Sequence, residues 1–175
     1  MNHDLRWILV LLANLLLIAL IAEINHHLTP LSLYIFPGGL LLAFAVLRLR
    51  LRQSLLANGF TALAFDALNP LPFGQTFLLF LSCHTLAFSL RGHFAKENPK
   101  YGAFVAAGMN IVLFIAITLT IAGKNFSEID WQRTLIDGAL STIFVLFLAP
   151  WFFSLQQTAL AFVGIDLDAE QREAK

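Results

Sequence analysis

Two acids lie where an ionisable side chain is costly. Asp66, in "FDALNPLPFG" (65–74), and Asp137, in "TLIDGAL", stand at the margins of long apolar runs. At such depth a carboxylate serves as a proton relay, a substrate counter-charge or a polar contact within a helix bundle. Neither of the first two roles finds a partner for Asp66, because no lysine or arginine lies well inside an apolar run. The local reading is that Asp66 sits just inside the outer interface, capping or hydrogen-bonding the turn made by Asn69 and Pro70. Asp137 falls near the start of the last apolar block, where helix amides favour a negative charge, so it reads as a capping acid. Gly138 beside it permits a close helix contact. Two acids at the outer ends of the third and sixth blocks also admit a shared external vestibule, and with it a small-molecule site.

The remaining reactive side chains point the same way. His84 is flanked by Ser82, Cys83 and Thr85 and reads as a helix–helix hydrogen-bond partner, while His26 and His27 follow Glu23 as interface residues. No HExxH or Cys/His cluster accompanies them, so no metal or cofactor is implied. Nor do serine, histidine and acid fall in a nucleophile motif. The chain reads as noncatalytic. Cys83 is the only cysteine, which excludes an intramolecular disulfide.

The elements that position these groups follow from composition. Of 175 residues, 58% are hydrophobic and 13% charged, with a mean hydropathy of +0.76. Soluble domains carry roughly a quarter charged residues, so the chain reads as a membrane protein. Eleven basic residues balance eleven acidic ones, which gives no concentrated positive face for nucleic acid. Six apolar blocks, 6–22, 31–47, 54–68, 73–90, 102–122 and 134–154, fill residues 1–175 as one domain. The first block leaves through Glu23 and Asn25 without a small-residue cleavage pattern, and is read as a retained helix. Continuous apolar runs of this length are helical and not the alternating strands of a membrane barrel.

The expected fold is therefore all-α, a polytopic bundle of six transmembrane helices. A crossing helix needs about 20 residues. The third block falls short of that and carries Asn58, Gly59, Thr61 and Asp66, so the third helix is expected to be short or kinked. Pro37 and Pro150 lie inside blocks and predict kinks. Gly102, Ala103, Ala106, Ala107 and Gly108 suit close packing on the fifth helix, and Asn110 adds a candidate interhelical hydrogen bond. With the N-terminus inside, Arg48, Arg50, Arg52, Arg91, Lys96 and Lys100 join Arg6, Arg172 and Lys175 on the cytoplasmic side, leaving Lys124 and Arg133 outside. That asymmetry places both termini in the cytoplasm. The "RLRLR" run is read as an anchor at lipid head groups.

The stretch from Gly59 and Phe60 through Asp66, Asn69-Pro70-Leu71-Pro72 and Gly74 to Gly92, with "LAPWFFSL" at 148–155, resembles the bacterial rod shape-determining MreD family. "NPLP" departs from the family by its two prolines and its lack of a serine–glycine pair. The last span also has Ser141 and Thr142 but no asparagine before Pro150. The resemblance implies a noncatalytic inner-membrane scaffold of the cell-elongation and peptidoglycan-synthesis machinery. Its implied partners are an MreC-like membrane protein, peptidoglycan synthases and membrane lipids. On this resemblance Asp66, Asn69, Pro70 and Gly74 shape the external end that meets the partner. The architecture is also similar to the substrate-binding membrane subunits of energy-coupling-factor vitamin transporters. That alternative would use Asp66, Asn69, Gln75, Asn125 and Asp137 as pocket liners.

Overall fold

The computed structural model describes residues 6–68, 73–93, 99–123 and 129–165. Within them the chain is all-helical: α1 (Arg6–Leu28), α2 (Gly38–Arg48), α3 (Leu51–Leu68), α4 (Gln75–Leu90), α5 (Pro99–Ala122) and α6 (Trp131–Phe162), with single 3-10 turns at Thr29–Leu31 and Arg91–His93. Asn69, Pro70 and Lys96 lie outside the described residues.

Beside an apolar core, side-chain placement departs from that of a soluble domain in its buried polar groups and its exposed apolar surface. Asn14, Ser54, Asn58, Thr61, Asp66, His84, Asn110, Asp137, Ser141 and Gln156 are all buried, whereas Phe147, Trp151 and Leu78 are exposed. Polar groups face inward because the bundle interior supplies their hydrogen bonds, and hydrocarbon does not. The spacing enforces this. On α6 the buried positions Asp137, Ser141, Val145, Ala149, Phe152, Gln156 and Leu160 recur every three or four residues, one stripe of a helix whose other faces stay apolar. Three segments, Arg6–Leu31, Tyr101–Ala122 and Trp131–Phe162, are long and apolar enough to cross a membrane.

The irregular element is not the one expected. α3 is a continuous helix of 18 residues. Its polar side chains fall on the buried stripe Ser54, Ala57, Asn58, Thr61, Ala62, Phe65 and Asp66, so polarity costs it no helical structure. The short helix is α2, with 11 residues. The expected span 31–47 begins instead as an irregular strap over residues 33–37 that turns helical only at Gly38. Pro37 is thus the residue before a helix and does not kink one, whereas α6 continues through Pro150. α1 is also longer than expected, running on through His26 and His27.

Geometry explains why a strap and a short helix replace one long helix. Eleven helical residues rise about 16 Å, and an extended chain covers about 3.3 Å per residue. Nonhelical residues before Gly38 can therefore supply reach that α2 lacks. The cost is a row of strap amides without intrahelical partners, tolerated at membrane depth only when protein surrounds them. Here it does. Every residue of α2 from Gly38 to Val46 is buried, with α1, α3, α4, α5 and α6 packed around it.

Asn25 shows how the strap is held. Its Nδ2 donates to the Ile35 carbonyl at 2.9 Å and its Oδ1 accepts the Ile35 N–H at 2.8 Å, a side chain standing in for a neighbouring strand. Asn25→Ala leaves two half-buried backbone groups unpaired and is expected to cost about 2 kcal/mol. Asn25→Asp keeps the acceptor for the Ile35 N–H but sets a carboxylate oxygen against the Ile35 carbonyl, so it should cost at least as much. Thermal unfolding in mild detergent checks the order, and equal melting of all three proteins would refute this role.

Candidate functional site

Where α3 gives way to α4, Asp66 acts as a cap, one of the two local readings of this residue; the Asn69-Pro70 turn of the other lies outside the described residues. Its Oδ2 accepts the N–H groups of Gly74 at 2.9 Å and Phe77 at 3.2 Å, and its Oδ1 accepts that of Thr76 at 3.1 Å. The carboxylate ends α3 and at the same time satisfies the first amides of α4, where the helix dipole favours its charge. Gly74 closes the turn with φ of 89°, a left-handed conformation that a side chain would strain. Leu68, the last residue of α3, and Phe73, beside Gly74, are exposed.

Asp137 is placed differently from its reading as a cap. The cap of α6 is Asp130, whose Oδ1 accepts the Arg133 N–H at 3.1 Å. Asp137 lies two turns further in, where its Oδ1 accepts the Tyr34 N–H of the strap at 3.1 Å. Its Oδ2 stands 3.9 Å from Arg133 Nε, beyond hydrogen-bonding distance. One turn along the same stripe, Ser141 Oγ accepts the Phe36 N–H at 2.9 Å. Asn110 Oδ1 then accepts the Gly39 N–H at 3.0 Å. The strap and the start of α2 are thus held by side chains from α1, α5 and α6.

These contacts separate the two acids. Asp137 lines a cavity of about 570 Å³ at the strap end of the bundle, together with Tyr34, Phe36, Phe65, Phe114, Asp130 and Arg133. Asp66 is not among its lining residues, and its oxygens are occupied by α4 amides. Phe36 forms the cavity floor, with ring centroids 5.7 Å from Phe65 and 6.1 Å from Phe114, within the range of aromatic pairing.

Two further polar clusters lie deeper. Asn14 Nδ2 donates to Leu41 O and to Thr61 Oγ1, and Gln156 Nε2 donates to Asn14 Oδ1, which ties α1, α2, α3 and α6 at one level. His84 stands 2.8 Å from Asn58 Nδ2 through Nδ1 and 3.3 Å from Ser54 Oγ through Nε2. A neutral ring accepting at Nδ1 and donating at Nε2 fits both neighbours, so the histidine is a link between α3 and α4. All three residues are buried, and the cluster has the residue types of a nucleophile triad without a surface for a substrate.

The basic residues gather at the opposite end. Arg91 Nη1 donates to Leu49 O at 2.9 Å and to Val46 O at 3.4 Å, and its guanidinium lies 4.2 Å from the Phe88 ring centroid. It therefore neutralises the carbonyl end of α2, next to Arg48. Arg50 and Arg52 are exposed beside it, and Lys100 falls in the first turn of α5.

Asn25, Ser141 and Tyr34 were not singled out as site residues by spacing. The available signal was Pro37-Gly38-Gly39 within an apolar run, which marks where helix gives way to strap. No protein-family model, curated protein or solved structure matches the chain.

Proposed function

We propose that the protein is a noncatalytic six-span scaffold of the bacterial inner membrane, serving the cell-elongation and peptidoglycan-synthesis machinery beside an MreC-like partner. The observation that carries this reading is the use of Asp66. The residue at the centre of the MreD-like stretch has its oxygens engaged by the backbone of Gly74, Thr76 and Phe77. It caps the start of α4 close to the end of α3, where Leu68 and Phe73 are exposed apolar side chains. A capped helix start flanked by exposed apolar side chains suits a docking role.

Both termini are assigned to the cytoplasm. The support is that Arg48, Arg50, Arg52 and Arg91 cluster at one end of the bundle, while Asp130 and Asp137 lie at the strap end. α2 and α4 cross in this assignment with help from the strap and from Arg91. Head-group lipids are then the neighbours of the arginine cluster.

The experiment is a mild-detergent pull-down of the intact protein from its native membrane, with mass spectrometry of proteins and small molecules. Recovery of an MreC-like single-span protein or a peptidoglycan synthase, reduced by Asp66→Asn, is the expected result. ATPase and coupling subunits carrying a vitamin-sized molecule would replace the scaffold by the energy-coupling-factor alternative.

A further inference from the structure

The two buried acids are unequally satisfied. Asp66 accepts three backbone N–H groups. Asp137 accepts one, from Tyr34, on Oδ1, and its Oδ2 has the Arg133 guanidinium only at 3.9 Å. A carboxylate offers about four lone-pair sites. One removed from water calls for more donors than Asp137 has. Its side chain is only 12% exposed, against 55% for Arg133. Both face the same cavity, whose apolar walls include Phe36, Phe65, Phe114 and Ile117 and whose polar lining adds Tyr34 and Asp130, the carboxylate that accepts the Arg133 N–H.

We propose that this cavity binds a zwitterionic amphiphile, with its ammonium on Asp137, its phosphate or carboxylate on Arg133 and its apolar body on the phenylalanine floor. The volume of about 570 Å³ falls within the span of small-molecule sites, roughly 300–1,000 Å³. The order of charges follows from depth. The nearly buried carboxylate needs a cationic donor, and the exposed guanidinium offers a planar fork for an anion. The gap between the two side chains is too long for a hydrogen bond and leaves both open to a ligand carrying the complementary pair. Such chemistry has two sources, an aminophospholipid or a free zwitterion with an aromatic side chain. This site does not depend on the scaffold reading.

The test is native mass spectrometry of the full chain in mild detergent. The probes are dioleoyl phosphatidylethanolamine, dioleoyl phosphatidylglycerol as an anion without ammonium, and L-phenylalanine as a soluble zwitterion. One zwitterion is expected to bind at least about ten-fold more tightly than phosphatidylglycerol, and to lose about ten-fold or more in R133Q and D137N, the scale of one charge-assisted hydrogen bond. The D137N side chain keeps an oxygen for the Tyr34 N–H, so the strap contact survives in that variant; should it still unfold, the exposed R133Q decides alone. Preference for phosphatidylethanolamine assigns the ligand to the membrane, and preference for phenylalanine assigns it to solution. Phosphatidylglycerol binding as tightly as both zwitterions, no probe binding, or zwitterion binding undiminished in R133Q overturns the proposal.

Discussion

Gly39→Ala is expected to prevent the bundle from assembling. A methyl group at Gly39 would run into the Ala106 carbonyl oxygen and the Asn110 amide nitrogen of α5, and would stand 2.8 Å from the Asn110 Cα. All three are backbone atoms of a helix, so no rotamer change relieves the overlap. The two helices would have to separate, and the bond from Gly39 N–H to Asn110 Oδ1 would go with them. Overpacking a tight core costs about 1–3 kcal/mol where side chains can yield. Here they cannot, and the loss should exceed about 3 kcal/mol, a large share of a typical folding free energy. Gly108→Ala is the control. It lies on α5 with nothing within 4 Å of the added carbon, and should be neutral or stabilising by up to about 1 kcal/mol through helix propensity. Size-exclusion profiles and thermal unfolding in mild detergent report both. A Gly39→Ala protein as monodisperse and heat-resistant as its parent would mean that α2 and α5 do not approach this closely.

The same contact shows what could be read from the sequence. Ala103, Ala106 and Ala107 announce a close helix approach because small residues on one stripe have few other uses in a membrane. Their partner was hidden, because Gly38 and Gly39 sit within an apolar run that reads as one helix. Hydropathy measures transfer of side chains and is silent about where backbone hydrogen bonds go. Leu31 to Val46 is nearly uniform in apolarity, yet nearly half of it lies outside any α-helix. What makes the strap possible is the supply of side-chain partners far along the chain: Asp137 for Tyr34 and Ser141 for Phe36, at separations of 103 and 105 residues. No local pattern carries that information.

The third block is unkinked, although at 18 residues it stays short of a full crossing and is not among the three segments long and apolar enough to span. Its asparagine, threonine and aspartate lower its apparent suitability as a helix in a membrane, but their helical spacing puts them on one buried face. Composition counted against α3 what periodicity would have credited to it. Asp137 was misread for a related reason: the helix start was set by the apolar run, whereas Asp130 caps α6 seven residues earlier, in a polar stretch.

Asp66 carries the second large effect. Asp66→Ala would leave three amides at the start of α4 without acceptors in a region closed by Phe65, Phe77 and Gly74. Removing a helix cap costs about 0.5–2 kcal/mol, and stranding buried donors adds about 1–3 kcal/mol. A total near 3 kcal/mol is expected, a fall of roughly 6–12 °C in melting temperature for a chain of this length. Asp66→Asn should fall between the two proteins. Its one amide oxygen can serve one or two of the donors, but its NH₂ group would face the remaining N–H and the charge that the helix dipole favours is gone. The graded order separates a structural carboxylate from a reactive one, because a proton-handling acid would lose activity in Asp66→Asn with stability nearly intact. If the melting temperature instead barely moves in Asp66→Ala while partner recovery collapses, the residue contacts the partner directly and the three amides are incidental. If both fall in the order parent, asparagine, alanine, the capped start of α4 is what the partner meets, and Asp66 acts by holding its shape.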